Sequence, residues 1–177
     1  FRLNIKKISQ MKQKTDKIKD ICSPTSLAMV LDYYKIKISP IKIADYVFDN
    51  ENKIYGNWIF NTIFASTKSL YSFVYRFNSI KEVFEFIDSK IPIIASITFD
   101  KGELSNSPLT KTKGHLLVIK GYTESGDIIV NDPASPDIKG VERIYNQKEF
   151  ERVWIEKKYG TSYIIVDDIK KLPIQVL

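Results

Sequence analysis

Asp20-Ile-Cys-Ser-Pro-Thr-Ser-Leu-Ala-Met-Val-Leu-Asp-Tyr-Tyr34 contains the only cysteine of the chain, Cys22, at what reads as the mouth of a helix. Pro24 suits a first-turn position, where its missing N–H would have no intrahelical partner. Ser23 is a candidate N-cap. Leu27, Val30, Leu31 and Tyr34 recur at helical spacing, so a helix with a buried face is expected over about 23–34. The Cys22 thiol then sits among backbone N–H groups without intrahelical partners, at the positive end of the helix dipole. That setting favours the thiolate, which is the nucleophilic form. The competing reading is a small core residue that happens to start a helix, because free cysteines are usually buried.

The chain has 177 residues, long enough for one domain with a substantial core. Its 44% hydrophobic and 27% charged content is ordinary for a globular protein. No apolar run reaches the roughly 18 residues of a membrane span. One cysteine excludes an internal disulfide framework. The chain opens on Phe1 with no signal-peptide pattern, which fits a mature form or an excised domain. A single thiol does not identify a compartment, though a secreted or cell-surface location is favoured over the cytoplasm. The net charge is +6, with a modest cluster at Lys6, Lys7, Lys12, Lys14, Lys17 and Lys19. It lacks the aromatic interleaving or motif of a nucleic-acid surface. A solvated basic face is the plain reading, and attraction to an acidic substrate or surface the sharper one.

Residues 1–19 read as an extended segment and a polar loop. Ser39-Pro40 opens a second helix to Val47, and Asn57 can cap a third through Trp58, Ile59, Phe60, Ile63 and Phe64. The aromatic alternation of Tyr71 to Phe77 predicts a strand. Ser79 with Glu82 reads as a capping box for a fourth helix, with Val83, Phe84, Phe86 and Ile87 facing inward. Pro92 to Phe99 reads as a central strand and Asp100 to Gly114 as an exposed loop. His115 to Tyr122 and Asp127 to Asn131 form a hairpin about Glu124-Ser-Gly126. Arg143 to Tyr145 is a short strand. Asn146 with Glu149 suggests a second capping box, for a helix through Trp154, and Tyr163 to Val166 is the last strand. Helices lead and strands cluster later, an α+β order rather than an alternating one. Repeats and linkers are absent from the sequence.

His115, the only histidine, follows Gly114 at a loop edge, where catalytic groups tend to sit. A lone histidine is more often structural. The hairpin, however, returns Asn131 and Asp132 beside it, where a carboxylate could hydrogen-bond the imidazole. Cysteine, base and orienting group is the arrangement of an activated nucleophile. The chain order, with the cysteine on an N-terminal helix and the others on a following sheet, is that of papain. Adjacent strand side chains point to opposite faces, so only one of Asn131 and Asp132 can meet His115.

Ser9-Gln10-Met11, Cys22-Ser-Pro-Thr-Ser-Leu-Ala-Met-Val-Leu31, Gly56-Asn-Trp-Ile-Phe-Asn61, Gly114-His-Leu-Leu-Val118 and Val130-Asn-Asp-Pro-Ala134 together resemble a bacterial papain-like group. The chain is similar, over nearly its whole length, to the free-standing branch of cysteine-peptidase family thirty-nine. That family includes the leader-cleaving domains of bacteriocin exporters. The resemblance implies a papain-like α+β fold, with N-terminal helices packed on an antiparallel sheet and the nucleophile on the central helix. It implies Cys22 as nucleophile, His115 as base, Asp132 as orienting group and Gln10 as oxyanion donor. Asn131 is left to satisfy backbone in the turn before Pro133. Many relatives have Gly where this chain has Ser23. The Gln10-to-Cys22 separation exceeds that of papain, so Gln13 competes for the donor role, although it lies in a lysine-rich run. Trp58 reads as helix core, with a substrate-wall role as the alternative.

These readings converge on a single-domain, monomeric thiol peptidase that attacks peptide or protein substrates through a Cys22 thioester. No metal or organic cofactor is expected, because one Cys and one His make no convincing zinc site. Nucleic acid is not an expected partner. An acyl or peptidyl transferase on the same residues, and a non-catalytic peptide-binding module, are the alternatives.

Overall fold

A computed structural model describes residues 1–173. Three helices come first: α1 (Cys22–Tyr33), α2 (Pro40–Val47) and α3 (Trp58–Ser66). Then follow β1 (Tyr71–Arg76), α4 (Ile80–Asp88), β2 (Ile93–Phe99), β3 (Thr112–Tyr122), β4 (Ile128–Asn131) and β5 (Glu142–Tyr145). The short helix α5 (Gln147–Glu151) runs into a π-helical segment, Arg152–Glu156, before β6 (Thr161–Val166). The six strands form one antiparallel sheet in the order β1-β6-β2-β3-β4-β5. The α+β expectation holds. The last strand lies between β1 and β2, an order that local patterning does not encode.

Helix α1 is enclosed on all sides from Ser23 to Leu31, rather than on one face only. It packs on β3, with α2 and α3 beside it. Helix α4 and the π-helical segment pack against β2. There Phe77 sits between Phe86 and Trp154, with ring centroids 4.9 and 5.2 Å apart. The N-terminal segment crosses β3: Leu3 N–H donates to the Lys120 carbonyl at 2.7 Å. Gly121 permits that crossing, since a Cβ there would lie 2.4 Å from the Phe1 carbonyl oxygen. All six lysines of the N-terminal cluster are exposed. Among the described residues, no helix is long and apolar enough to cross a membrane.

Three local expectations need correction. Ser39, Asn57 and Asn146 cap their helices through the side chain, but neither expected capping box closes. Ser79 makes no cap bond; Glu82 reaches back to Asn78 N–H and also accepts the Tyr75 hydroxyl. Glu149 turns away to hold the Ser105 N–H and hydroxyl. Each glutamate found a tertiary partner that sequence spacing does not reveal. Phe84 is half-buried, its ring tilted against that of Tyr122 with centroids 4.4 Å apart, rather than in the core. Strand β3 begins at Thr112, so His115 is its fourth residue and not its first.

Candidate active site

Helix α1 opens at Cys22 itself. Ile21 is the N-cap and supplies no side-chain bond, so the expected Ser23 cap is not formed. Ser23 points instead into the interior, donating to Asn61 Oδ1 at 2.9 Å and lying 3.1 Å from the Tyr163 hydroxyl. Asn61 in turn donates to the Tyr55 and Asn57 carbonyls. A polar cluster thus locks the first turn of α1 to the loop before α3. Its members come from positions 23, 61 and 163, and only the fold brings them together.

The β3–β4 pairing sets the other two groups. Val118 lies opposite Asn131, and strand alternation then puts His115 and Asp132 on one face and Asn131 on the other. His115 Nε2 is 2.8 Å from Asp132 Oδ1. With Nε2 engaged there, the ring presents Nδ1 towards Cys22. Asn131 faces α1, its amide donating to the Ile5 and Lys6 carbonyls and contacting Met29 Sδ at 3.7 Å. The expectation that Asn131 serves the turn before Pro133 is therefore corrected: it fastens the N-terminal segment.

Asp132 is fully buried. Its Oδ1 also accepts Ala134 N–H at 3.0 Å, and its Oδ2 accepts the Tyr145 hydroxyl at 2.7 Å. Sequence reasoning missed Tyr145, which carries no motif and reads as one more apolar residue of a short strand. Burial pushes the Asp132 carboxyl up, but His115, Tyr145 and Ala134 N–H bring it below the ordinary carboxylate range. Burial pushes His115 down; the Asp132 charge and hydrogen bond outweigh it and, with Cys22, raise the imidazole well above its usual value. Burial likewise raises the Cys22 thiol. The His115 ring and the backbone N–H groups of Leu116 and Ser23 reverse this, leaving the thiol below its usual value. The two shifts, thiol down and imidazole up, both favour a thiolate beside an imidazolium. Such a pair can attack a carbonyl carbon and deliver a proton to a leaving group.

Cys22 opens onto a cavity of about 560 Å³, lined also by Gly56, Trp58, Ser96, Gly114 and Leu116. Trp58 is half-buried and faces this space instead of being enclosed in the helix core. Asp49 fixes the loop that forms one wall, accepting from Glu51 N–H, Asn52 N–H and the Asn52 and Asn57 side-chain amides. Neither Gln10 nor Gln13 lines the cavity. The Gln10 amide donates to the Ile18 carbonyl at 2.7 Å, and its backbone N–H to the Pro133 carbonyl at 2.9 Å. Gln13 donates to the Ser9 carbonyl. The fold thus gathers Cys22, His115, Asp132 and Trp58 and leaves both glutamines outside.

Residues 2–162 match the model of the Peptidase_C39 like family. No curated protein matches the chain. Among solved structures, it is similar to a double glycine motif protease from an AMS/PCAT transporter in complex with the leader peptide. There the identity is 21%, 93% of each chain is covered and the TM-score is 0.65. It is also similar to a C39-like protein from Bacillus anthracis, at 17% identity over 93% of this chain and 96% of that one, with a TM-score of 0.66. A third is the peptidase domain of Streptococcus ComA, a bi-functional ABC transporter involved in a quorum sensing pathway. That pair shares 16% identity over 92% of this chain and 98% of the other, with a TM-score of 0.63. At these identities the likeness is one of fold.

Proposed function

Because the chain belongs to the Peptidase_C39 like family, we propose that it cleaves peptide bonds as a cysteine peptidase, with Cys22 as nucleophile, His115 as base and acid, and Asp132 as orienting group. The observation that carries this reading is the 2.8 Å His115–Asp132 contact, which turns the other ring nitrogen towards a thiol held at a cavity floor.

The Cys22 thiolate attacks the substrate carbonyl carbon, and charge builds on the carbonyl oxygen. Of the first turn of α1, Pro24 has no N–H and Thr25 donates to the Ile21 carbonyl, so the Cys22 and Ser23 N–H groups, which have no acceptor within the helix, would receive that charge. As the tetrahedral intermediate collapses, the His115 imidazolium gives its proton to the leaving amine and a Cys22 thioester remains. Neutral His115 then takes a proton from water as the hydroxyl adds to the thioester carbon. The tetrahedral intermediate collapses with cleavage of the C–S bond, releasing the carboxylic acid product and leaving the Cys22 thiolate beside the His115 imidazolium. Asp132 holds the ring in one tautomer throughout and stabilises its charged form. Gln10 would serve as a further oxyanion donor on turning its amide away from the Ile18 carbonyl. Trp58 would form the substrate wall.

The experiment is intact-mass analysis during turnover of a peptide panel, with rapid acid quench. An acyl adduct mapped to Cys22, lost in Cys22→Ala and in His115→Ala, is expected. Cleavage that persists in Cys22→Ala would overturn the reading.

A further inference from the structure

Three lysines from separate stretches of chain line the cavity that holds Cys22: Lys19 before α1, Lys53 in the loop before α3, and Lys158 at the end of the helical stretch before β6. Asp20 is the one carboxylate among the lining residues. None of the three lysines takes part in an ion pair among the described residues. Two of the three backbones are anchored. Lys53 belongs to the loop organised by the Asp49 carboxylate, and the Lys158 carbonyl accepts the Thr161 hydroxyl at 2.6 Å. The remaining walls are largely apolar: Ile54, Trp58, Ile59 and Leu116, with Ile54 and Ile59 exposed by 45% and 62%. Cations on the rim of a cleft with low-dielectric walls focus the field inside it. Within the site, His115 offsets one of the two negative charges on Cys22 and Asp132, so the three lysines, set against Asp20, still leave the cleft positive on balance.

We infer that this cavity selects peptides with acidic side chains flanking the scissile bond, adjoining a bulky apolar side chain seated against Trp58 and Leu116. The inference rests on the reading of Cys22 as the attacking group and names the substrate class of that same site.

Because the chain has one cysteine, charged thiol reagents report the field at Cys22 directly. The intact protein is treated with two methanethiosulfonates, one bearing a sulfonate and one a trimethylammonium group. Their rate ratio is divided by the ratio for free cysteine. The anionic reagent should be favoured by about tenfold or more at low ionic strength, and less as salt shortens the screening length. A Lys19→Gln/Lys53→Gln/Lys158→Gln variant should lose most of that preference while keeping His115. A ratio unchanged by the triple substitution, or one favouring the cation, overturns the inference.

A second arm uses Cys22→Ala and fluorescent octapeptides identical except for Glu or Lys on either side of a central Leu. Anisotropy should show the Glu peptide binding about tenfold more tightly at low salt. The Lys→Glu triple variant on the same background should reverse that order. Equal binding, or binding of neither peptide, overturns the inference. Neither arm needs turnover, so a protein that passes both yet forms no acyl adduct loses the proposed peptidase reaction and keeps the charge selectivity.

Discussion

The Tyr145 hydroxyl donates to Asp132 Oδ2 at 2.7 Å, on the oxygen opposite the one His115 engages. A buried carboxylate is costly unless its lone pairs are taken, and Tyr145 takes the side that neither His115 nor Ala134 reaches. Tyr145→Phe keeps the ring stacked on Phe150, whose centroid is 5.9 Å away, and removes only the donor. Hydrogen bonds to charged groups contribute about 1.5–3 kcal/mol, so kcat should fall roughly tenfold to a hundredfold with KM little changed. Losing a donor raises the Asp132 pKa, and the acid limb of the pH–rate profile should move to higher pH. An unaltered profile would reduce Tyr145 to packing.

The thiol and imidazole shifts define a window. Cys22 lies below its usual pKa and His115 above its own, so the ion pair persists between the two values. At pH 6 a free thiol with a pKa of about 8.5 is well under ~1% thiolate. Cys22 should therefore react with iodoacetamide at pH 6 faster than a model thiol. In His115→Ala, burial acts without the imidazole, and reactivity should appear only at alkaline pH. Circular dichroism confirms that the variant is folded, and fast alkylation of it at pH 6 would remove His115 from the reading.

Much of this site is legible in the sequence because its geometry is local. Pro24 and the spacing of Leu27, Val30 and Leu31 put Cys22 at a helix mouth, and a single hairpin returns Asp132 to His115. What is not legible depends on distant partners. Ser23 carries every mark of an N-cap, yet Asn61 and Tyr163 offer it interior bonds from 38 and 140 residues away. Tyr145 sits in a four-residue strand with nothing to distinguish it from a core aromatic. The π-helical turn after α5 and the insertion of β6 between β1 and β2 are likewise set by packing.

The oxyanion donor separates the two glutamines. Gln10 is buried with its amide donating to the Ile18 carbonyl, and Gln13 is half-buried with its amide donating to the Ser9 carbonyl, so either must release a carbonyl to serve. If Gln10 swings to the substrate oxygen, Gln10→Ala should cost on the order of 10²–10³ in kcat. Gln13→Ala should stay within about threefold. Steady-state kinetics on both variants decide it: the opposite ranking transfers the role, and two small effects leave the α1 N–H groups as the donors.

Asp49 sets an acid limit on the cavity wall. Donation from Asn52 N–H first, then from the Asn52 and Asn57 amides, lowers its carboxyl to about 2. A carboxylate depressed in the folded state contributes stability above its unfolded pKa, and that contribution fades as pH falls through the folded value. Asp49→Ala should lower the melting temperature by a few degrees at pH 7. The gap between variant and parent should narrow as pH drops from about 4 towards 2. A gap of constant size across that range would mean that the ionised carboxylate is not what holds the loop.

Asn131 and Asp132 are adjacent, both fully buried, and belong to opposite faces of the sheet. Asp132 meets His115, while Asn131 secures the N-terminal segment through the Ile5 and Lys6 carbonyls. Their substitutions should therefore divide function from stability. Asp132→Asn keeps shape and one acceptor but loses the charge that holds the imidazolium, so kcat should fall steeply and the active pH range contract. Asn131→Ala leaves buried carbonyls unpaired, at a cost of about 1–3 kcal/mol. In a chain of this size each kcal/mol lowers the melting temperature by about 2–4 °C. Because Asn131 touches neither His115 nor Cys22, its kcat should stay near the parent value below the new melting point. Kinetics and melting curves on the two single variants test the division, and a catalytic collapse in Asn131→Ala with a mild Asp132→Asn would move the orienting role to Asn131.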